Sequence, residues 1–227
     1  MKKYYKYLLL TLAVVILDQV TKMLVHNNMQ LGEEFNVLGE WFRIHYVLNE
    51  GIAFGMKANW EYAKFALTLF RIIASVLGVY LIIKYAKESV HPGALWAGAL
   101  VLAGAIGNSI DSALFGVLLD NAPHGSSYKL FNGQVIDMLY FPLFKFDWPG
   151  WMPLLAGKEF RFFNAIFNVA DSSIFIGAVI LILFQKKFFG DGSQKNDPGG
   201  FDSSQMRADQ SMKDAISGSE DDCCIPS

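Results

Sequence analysis

Four long apolar segments alternate with more polar segments along the chain. A membrane-spanning helix needs about 20 consecutive apolar residues, and windows of that length select residues 5–25, 62–85, 94–119 and 162–184. We therefore predict an all-α membrane protein with four transmembrane helices. The first segment follows two lysines, as in a signal peptide, but no small-residue cleavage site comes after it. We predict that it is retained as the first span.

The segments between these helices predict a different kind of structure. Residues 26–61 alternate in part between apolar and polar side chains, which favours strands with one buried face. We predict a short antiparallel sheet on the outer membrane surface, with its aromatic residues at headgroup level. Residues 120–161 are rich in Gly, Pro, Trp and Phe and predict an interfacial loop. Residues 190–227 are polar and predict a disordered cytoplasmic tail after a membrane domain of residues 1–189.

Lysine placement predicts the orientation in the membrane. Cytoplasmic loops of membrane proteins carry an excess of Lys and Arg close to the spans. Such clusters precede the first span, lie between the second and third, and follow the fourth: Lys2, Lys3, Lys6, Lys84, Lys87, Lys186 and Lys187. Both termini are therefore expected in the cytoplasm, and residues 26–61 and 120–161 on the outer side.

Composition supports the membrane assignment and narrows the chemistry. The chain is 53% hydrophobic, with 19 Phe and a mean hydropathy of +0.30, which is too apolar for an ordinary soluble domain. A net charge of −2 gives no indication of a nucleic-acid partner. The two cysteines, Cys223 and Cys224, are adjacent near the C-terminus, so the predicted membrane core has no thiol for catalysis or metal binding.

Polar side chains interrupt three of the spans at similar depth. They lie near the predicted outer ends of spans one, three and four, as Asp18 and Lys22, Asn108 and Asp111, and Asn168 and Asp171. Ionisable residues inside a membrane are costly and commonly functional, so this convergence predicts a polar site that opens outward. A structural interpretation stays open for some of them, since residues four apart on a helix can form an ion pair. Asp111 is placed to pair with Lys22 or with a loop.

Two aspartates are the strongest candidates for catalysis. A span that begins at Phe162 would put Asp171 about 13 Å below that residue, with no cation on its helix face within one turn. Asp137 precedes the same span between apolar flanks that would hold it at the membrane surface. Two carboxylates that share one proton can activate water as acid and base. From the residues alone, a proton relay or a cation path is an equal alternative.

Five short motifs then occur in one order along residues 5–185. They are DQVTK at 18–22, NEGIAFG at 49–55, GAIGNSID at 104–111, VIDM at 135–138 and FNVADSSI at 167–174. Together with the four predicted spans, they closely resemble the lipoprotein signal peptidases of bacteria, also called signal peptidase II. The resemblance implies an aspartic endopeptidase that cuts diacylglyceryl-modified prolipoproteins just before the lipid-bearing cysteine, in the bacterial inner membrane.

The resemblance also implies roles for individual residues. Asp137 and Asp171 would be the catalytic dyad and would need no metal or cofactor. Residues expected to line the site are Asn49, Gly51, Asn108, Asn168 and Ala170. Residues expected to support the surrounding fold are Asp18, Lys22 and Asp111. The protein is expected to contact membrane lipid, to work as a monomer, and to be blocked by globomycin-type cyclic peptides.

One position departs from the family pattern. Arg commonly follows the aspartate of the third motif, and this chain has Ser112 there, so we expect Lys22 or Lys129 to take over the role of that Arg.

Two other functions stay open. A small transporter would use Asp18, Asp111 and Asp171 as a proton or cation path, and a non-catalytic relative would bind lipoproteins without cutting them.

Overall fold

The computed structural model describes residues 3–50, 63–142, 144–147, 159–162 and 165–189. Within these residues, three helical segments are long and apolar enough to cross a membrane: Tyr5–Asn28, Ala63–Lys87 and Pro92–Leu118. The first two are helices α1 and α2. The third consists of helix α3 (Pro92–Ile110), a π-helical turn (Asp111–Phe115) and the short helix α4 (Gly116–Leu118). The first three predicted spans are therefore confirmed as helices.

The fourth predicted span begins later than expected. Helix α5 covers Val169–Leu183, and helix α6 (Gln185–Phe189) follows it. The Asn168 side chain caps α5 by accepting from the backbone N–H of Asp171, and the Asp171 side chain accepts in return from the backbone N–H of Asn168. This capping box fixes where the helix starts. The start predicted at residue 162 is wrong, and Asp171 lies in the first turn of its helix, not two to three turns along it.

Six strands form two antiparallel sheets among the described residues. Strands β1 (Glu34–Leu38), β2 (Phe42–Asn49), β3 (Val135–Tyr140) and β6 (Ile166–Phe167) form one sheet in the order β1-β2-β3-β6. Strands β4 (Phe144–Asp147) and β5 (Glu159–Phe162) pair as the second.

The large sheet confirms one loop prediction and corrects another. The antiparallel sheet predicted for residues 26–61 is present as β1 and β2. The interfacial loop predicted for residues 120–161 is wrong for β3, because Val135–Tyr140 is almost entirely buried and pairs with β2. The side chains of Tyr46, Phe115, Ile136 and Met138 join the sheet to the helices in one buried apolar cluster. Residues 148–158 and the predicted tail, residues 190–227, lie outside the described residues.

Helix α3 packs against α1, α2 and α5 and is lined with small residues. Ala97, Ala99, Ala103, Gly104 and Gly107 are all buried. Such residues let helix backbones approach closely in a membrane. A Cβ on Gly104 would overlap the carbonyl oxygen of Ala170, and a Cβ on Gly107 would lie 2.7 Å from a carboxylate oxygen of Asp18. The close approach of α3 to α5 therefore depends on Gly104, and its close approach to Asp18 of α1 depends on Gly107.

Gly104→Ala is expected to lower the free energy of unfolding by about 1–3 kcal/mol, because the backbone of α5 would have to move away from α3. Gly98→Ala is the matched control on the same helix. Its added Cβ would meet only the tip of the Ile82 side chain, at 3.2 Å, and that tip can rotate away. Unfolding of both variants in detergent measures the difference, and equal stability of the two would contradict the proposed packing.

Candidate functional site

Asp137 lies in the middle of β3, opposite Val47 of β2, and is 2% exposed. Each of its carboxylate oxygens receives one side-chain amide. Asn49 Nδ2 donates to Oδ2 over 2.9 Å, and Asn168 Nδ2 donates to Oδ1 over 2.7 Å. A strand places this side chain rigidly, because its neighbours are held by the hydrogen bonds of the sheet. The orientation of the carboxyl group is therefore fixed on both sides.

Asp171 lies close by, in the first turn of α5. Its Oδ1 accepts from Asn108 Nδ2 over 2.7 Å, and its Oδ2 accepts from the backbone N–H of Asn168 over a longer 3.4 Å. The amino-terminal end of a helix carries partial positive charge, which favours a carboxylate at this position. Asp171 thus has both a structural role, as part of the cap, and an oxygen that is held by Asn108 of α3.

Asn168 is the residue that joins the two carboxyl groups. It is fully buried. Its Nδ2 donates to Asp137 and also to Asn108 Oδ1 at 3.2 Å, while its Oδ1 accepts from the backbone N–H of Asp171 at 2.8 Å. All the donors and acceptors of this amide side chain are used. Asn49, Asn108 and Asn168 therefore form a hydrogen-bonded frame around Asp137 and Asp171, which we call the asparagine frame.

The pKa of Asp137 is raised to about 7, and two causes act in that direction. The larger is burial, which penalises the charged form, and the second is the nearby negative charge of Asp171. The amides of Asn49 and Asn168 and the charge of Lys22 oppose the rise. Asp137 therefore holds its proton up to near neutral pH, as one member of a pair of carboxyl groups that share a proton does.

A buried ion cluster lies behind the asparagine frame. The ammonium group of Lys22 is 2.7 Å from Asp18 Oδ2 and 2.6 Å from Asp111 Oδ2, and all three side chains are fully buried. Lys22 thus forms ion pairs with both carboxylates at once. The cluster confirms the predicted i, i+4 pair of Asp18 with Lys22 and the predicted pairing of Asp111 with Lys22.

Two contacts connect this ion cluster to the asparagine frame. Lys22 Nζ donates to Asn108 Oδ1 over 3.1 Å, which orients the Asn108 amide group toward Asp171. Asp18 Oδ1 accepts from the backbone N–H of Ala170 over 2.8 Å, which fixes the first turn of α5 to α1. The cluster therefore sets the positions of the residues beside the two carboxyl groups.

The structure brings together all the predicted site residues except Gly51, which lies outside the described residues. Two further residues were not predicted. Gln19 donates to Asp111 Oδ1 over 2.8 Å, and Arg71 of α2 donates to Ser112 Oγ over 3.0 Å. The expectation that Lys129 takes over the role of the Arg found at position 112 in the family pattern is wrong, since Lys129 forms an exposed ion pair with Asp120.

An apolar cleft of about 380 Å³ opens next to Asp171. Phe167, Ser172, Phe175 and Ile176 complete its lining. Phe175 is 69% exposed and Ile176 50% exposed, on a helix apolar enough to face lipid. The structure therefore presents an apolar surface directly beside Asp171.

The fold and the site together define a helical membrane protein with one buried and one half-buried carboxyl group where a small sheet meets the start of a helix. The family model described as signal peptidase (SPase) II matches residues 10–187. The chain therefore belongs to the signal peptidase II family, a family of proteases.

Individual relatives agree with this family. The chain is 40% identical over 185 residues to a lipoprotein signal peptidase of Amoebophilus asiaticus, covering 80% of this chain and 78% of the relative. It is also 40% identical over 184 residues to one of Porphyromonas gingivalis, covering 77% of this chain and 80% of the relative. The resemblance drawn from the motifs is thus confirmed, and a protease is favoured over a transporter.

Solved structures of bacterial membrane enzymes share the fold. One, determined by the in meso method at 2.3 Å resolution, aligns with a TM-score of 0.56 and 29% identity, covering 86% of this chain and 96% of the other. A second, determined by the same method at 1.9 Å resolution, has a TM-score of 0.56 and 30% identity, covering 82% of this chain and 98% of the other.

Proposed function

We propose that this protein is an aspartic endopeptidase of the bacterial inner membrane. It removes the signal peptide from diacylglyceryl-modified prolipoproteins by cutting just before the lipidated cysteine. The observation that carries this proposal is the geometry of Asp137 and Asp171, two carboxyl groups on separate elements that are linked by the amides of one asparagine frame. The relatives described above are lipoprotein signal peptidases, which supports the substrate class.

In the proposed reaction, the pair holds one proton and a water molecule between its two carboxyl groups. The ionised carboxylate takes a proton from the water, and the water oxygen attacks the carbonyl carbon of the scissile peptide bond. The neutral carboxyl group gives its proton to the carbonyl oxygen, so a neutral tetrahedral diol forms. The protonation states of Asp137 and Asp171 are now exchanged.

Collapse of the diol completes the proposed cycle. The newly protonated carboxyl group donates to the departing nitrogen, and the newly ionised carboxylate takes a proton from one diol hydroxyl. The C–N bond breaks, which releases a signal peptide with a free carboxyl group and a lipidated cysteine with a free amino group. The pair again holds one proton. Water is the only co-reactant, and each proton has a donor and an acceptor within the pair.

The surroundings of the pair suit a substrate that is hydrophobic at both ends. The apolar cleft beside Asp171 can take an acyl chain or an apolar side chain of the signal peptide. Asparagine side chains both donate and accept, so the frame is suited to bonding an extended peptide backbone. Globomycin-type cyclic peptides are expected to occupy the same space and to inhibit the enzyme.

We propose that α5 forms the fourth span and that α6 lies at its cytoplasmic end. The 15 residues of α5 rise about 22 Å, which is shorter than the roughly 30 Å hydrocarbon core of a bilayer, so the start of α5 would lie within the outer leaflet. Lys186 and Lys187 in α6, and Lys84 and Lys87 at the end of α2, would face the cytoplasm. The site then opens toward the outer side, and the protein works there as a monomer in contact with lipid.

A gel-shift cleavage assay with the purified protein in detergent micelles tests the proposal. The substrate is a diacylglyceryl-modified prolipoprotein, and the same precursor without the lipid is the matched control. We expect cleavage of the lipidated precursor only, with the new amino terminus at the modified cysteine. Binding of the lipidated precursor without any cleavage would contradict the proposed activity and indicate a non-catalytic lipoprotein-binding relative.

A further inference from the structure

Helix α2 carries a polar stripe on a helix that is otherwise apolar. Lys64, Thr68, Arg71 and Ser75 are spaced three or four residues apart, so they lie on one face. Thr68 Oγ1 donates to the carbonyl of Phe131 over 2.9 Å. One turn further along, Arg71 donates to Ser112 Oγ, and Ser75 Oγ lies 3.4 Å from Ser109 Oγ. The stripe therefore faces α3 and the π-helical turn, not the lipid.

Hydrogen bonds connect the contact between Arg71 and Ser112 to the strand that carries Asp137. The carbonyl of Ser112 accepts from the backbone N–H of Gly133 over 2.9 Å, and Gly133 lies two residues before the start of β3. A Cβ on Gly133 would overlap the carbonyl oxygen of Asp111. The guanidinium group of Arg71 thus bonds the turn against which the strand carrying Asp137 begins.

The charges around the site are unbalanced without Arg71. Asp18 and Asp111 share the single ammonium group of Lys22. With one proton on the Asp137–Asp171 pair, the described acidic groups then carry two more negative charges than Lys22 can offset. Uncompensated buried charge is strongly unfavourable. The guanidinium group of Arg71, bonded to Ser112 next to Asp111, supplies a second positive charge and lowers this excess from two to one.

The other charged groups near α2 do not take this role. Lys64 is nine-tenths buried, and its ammonium group has no hydrogen-bond partner among the described residues. Its charge interacts with Glu50, at the end of β2, and with Arg71. Lys129 is exposed and paired with Asp120. Arg71 is thus the cation of α2 whose charge reaches the two carboxyl groups.

We propose that Arg71 is a positioning residue that keeps the Asp137–Asp171 pair at one net negative charge near neutral pH and holds β3 in place through Ser112. This inference rests on the proposed function of that pair. It assigns the countercharge to the second helix, where the motifs of the sequence place no site residue. Arg71 acts through Ser112 and through its electric field, and it need not touch the substrate.

The test is the dependence of kcat/KM on pH for Arg71→Gln and Arg71→Lys with the lipidated precursor. Glutamine can keep the hydrogen bond to Ser112 but has no charge. Both limbs of the profile are expected to move upward by about one pH unit in Arg71→Gln, because removal of a cation favours the protonated carboxyl groups. In Arg71→Lys, which keeps the charge, the profile is expected to stay near that of the wild type.

Two control variants on α2 separate charge from packing. Ser75→Ala removes a hydroxyl group one turn away on the same stripe, and Lys84→Met removes an exposed cation near the other end of the helix. Neither is expected to move the profile. A folded Arg71→Gln protein with lower kcat and an unshifted profile would overturn the inference and leave the dyad intact, whereas turnover by Asp137→Asn or Asp171→Asn would overturn the proposed function itself.

A double variant keeps the inference testable if the single variants do not fold. Arg71→Ser combined with Ser112→Arg moves the guanidinium group to the other side of the same 3.0 Å contact. The double variant is expected to fold and to restore the wild-type pH profile. A shifted profile or an inactive, folded double variant would contradict the role of Arg71 as countercharge.

Discussion

Asp137→Asn or Asp171→Asn is expected to reduce cleavage of the lipidated precursor by at least about a thousandfold. Asparagine has the shape of the native side chain and can still accept a hydrogen bond from the asparagine frame. It cannot take a proton from water or return one to the departing nitrogen. Initial rates measured beside the unfolding midpoint of each variant separate lost chemistry from lost structure, and we expect the midpoints to change little.

Asp120→Asn is the matched control for these two variants. Asp120 is an exposed carboxylate paired with Lys129, and its backbone lies in the left-handed region, with φ of 52°, which asparagine also adopts readily. Its activity and stability should equal those of the wild type. If either dyad variant kept about a tenth of the wild-type rate, a mechanism in which both carboxyl groups move protons would be untenable.

Lys22→Met is expected to cause the largest loss of stability, about 3–5 kcal/mol. The substitution would leave Asp18 and Asp111 buried without their shared cation, and would also remove the donor to Asn108. Denaturant or SDS unfolding in mixed micelles provides the measurement.

A triple variant shows whether this loss comes from unpaired charge. Asp18→Asn, Lys22→Met and Asp111→Asn together leave no charge in the cluster, and Asn at position 18 can still accept from the backbone of Ala170. We expect the triple variant to be more stable than Lys22→Met alone, because a neutral site of similar volume avoids the cost of unpaired carboxylates. A stability of Lys22→Met within about 1 kcal/mol of the wild type would show that the cluster is not a charged one.

The first three helices could be predicted because hydropathy alone decides them. Their apolar runs are long enough to span a bilayer, and among the residues that the structure describes no other helix reaches that length. The start of the fourth helix could not be predicted in this way, since the aromatic residues before Asn168 raise the mean hydropathy of the segment as strongly as the residues of the helix do. The capping pattern of Asn168 and Asp171 was the available local signal for the true start of α5.

The site was predicted unevenly, for a related reason. Asp18, Asn108 and Asp171 stand out because a polar residue in an apolar helix is conspicuous. Asp137 is conspicuous for the same reason, because its neighbours in the sequence are apolar. Its strand could not be predicted, because β3 is buried on both faces and its apolar and polar residues do not alternate. Arg71 could not be assigned to the site, since its contact with Ser112 joins residues 41 positions apart and leaves no pattern in the sequence.

The asparagine frame has a consequence for resistance to inhibitors. Asn168 bonds Asp137, Asn108 and the backbone of Asp171 at once, and Asn108 is in turn held by Lys22. An inhibitor that bonds these amide groups would contact side chains that also hold one another and the two carboxyl groups in place. A single substitution that weakens such an inhibitor would also leave a buried polar group unpaired. Escape would then require several coordinated changes, which makes the frame a better target than the apolar cleft beside it.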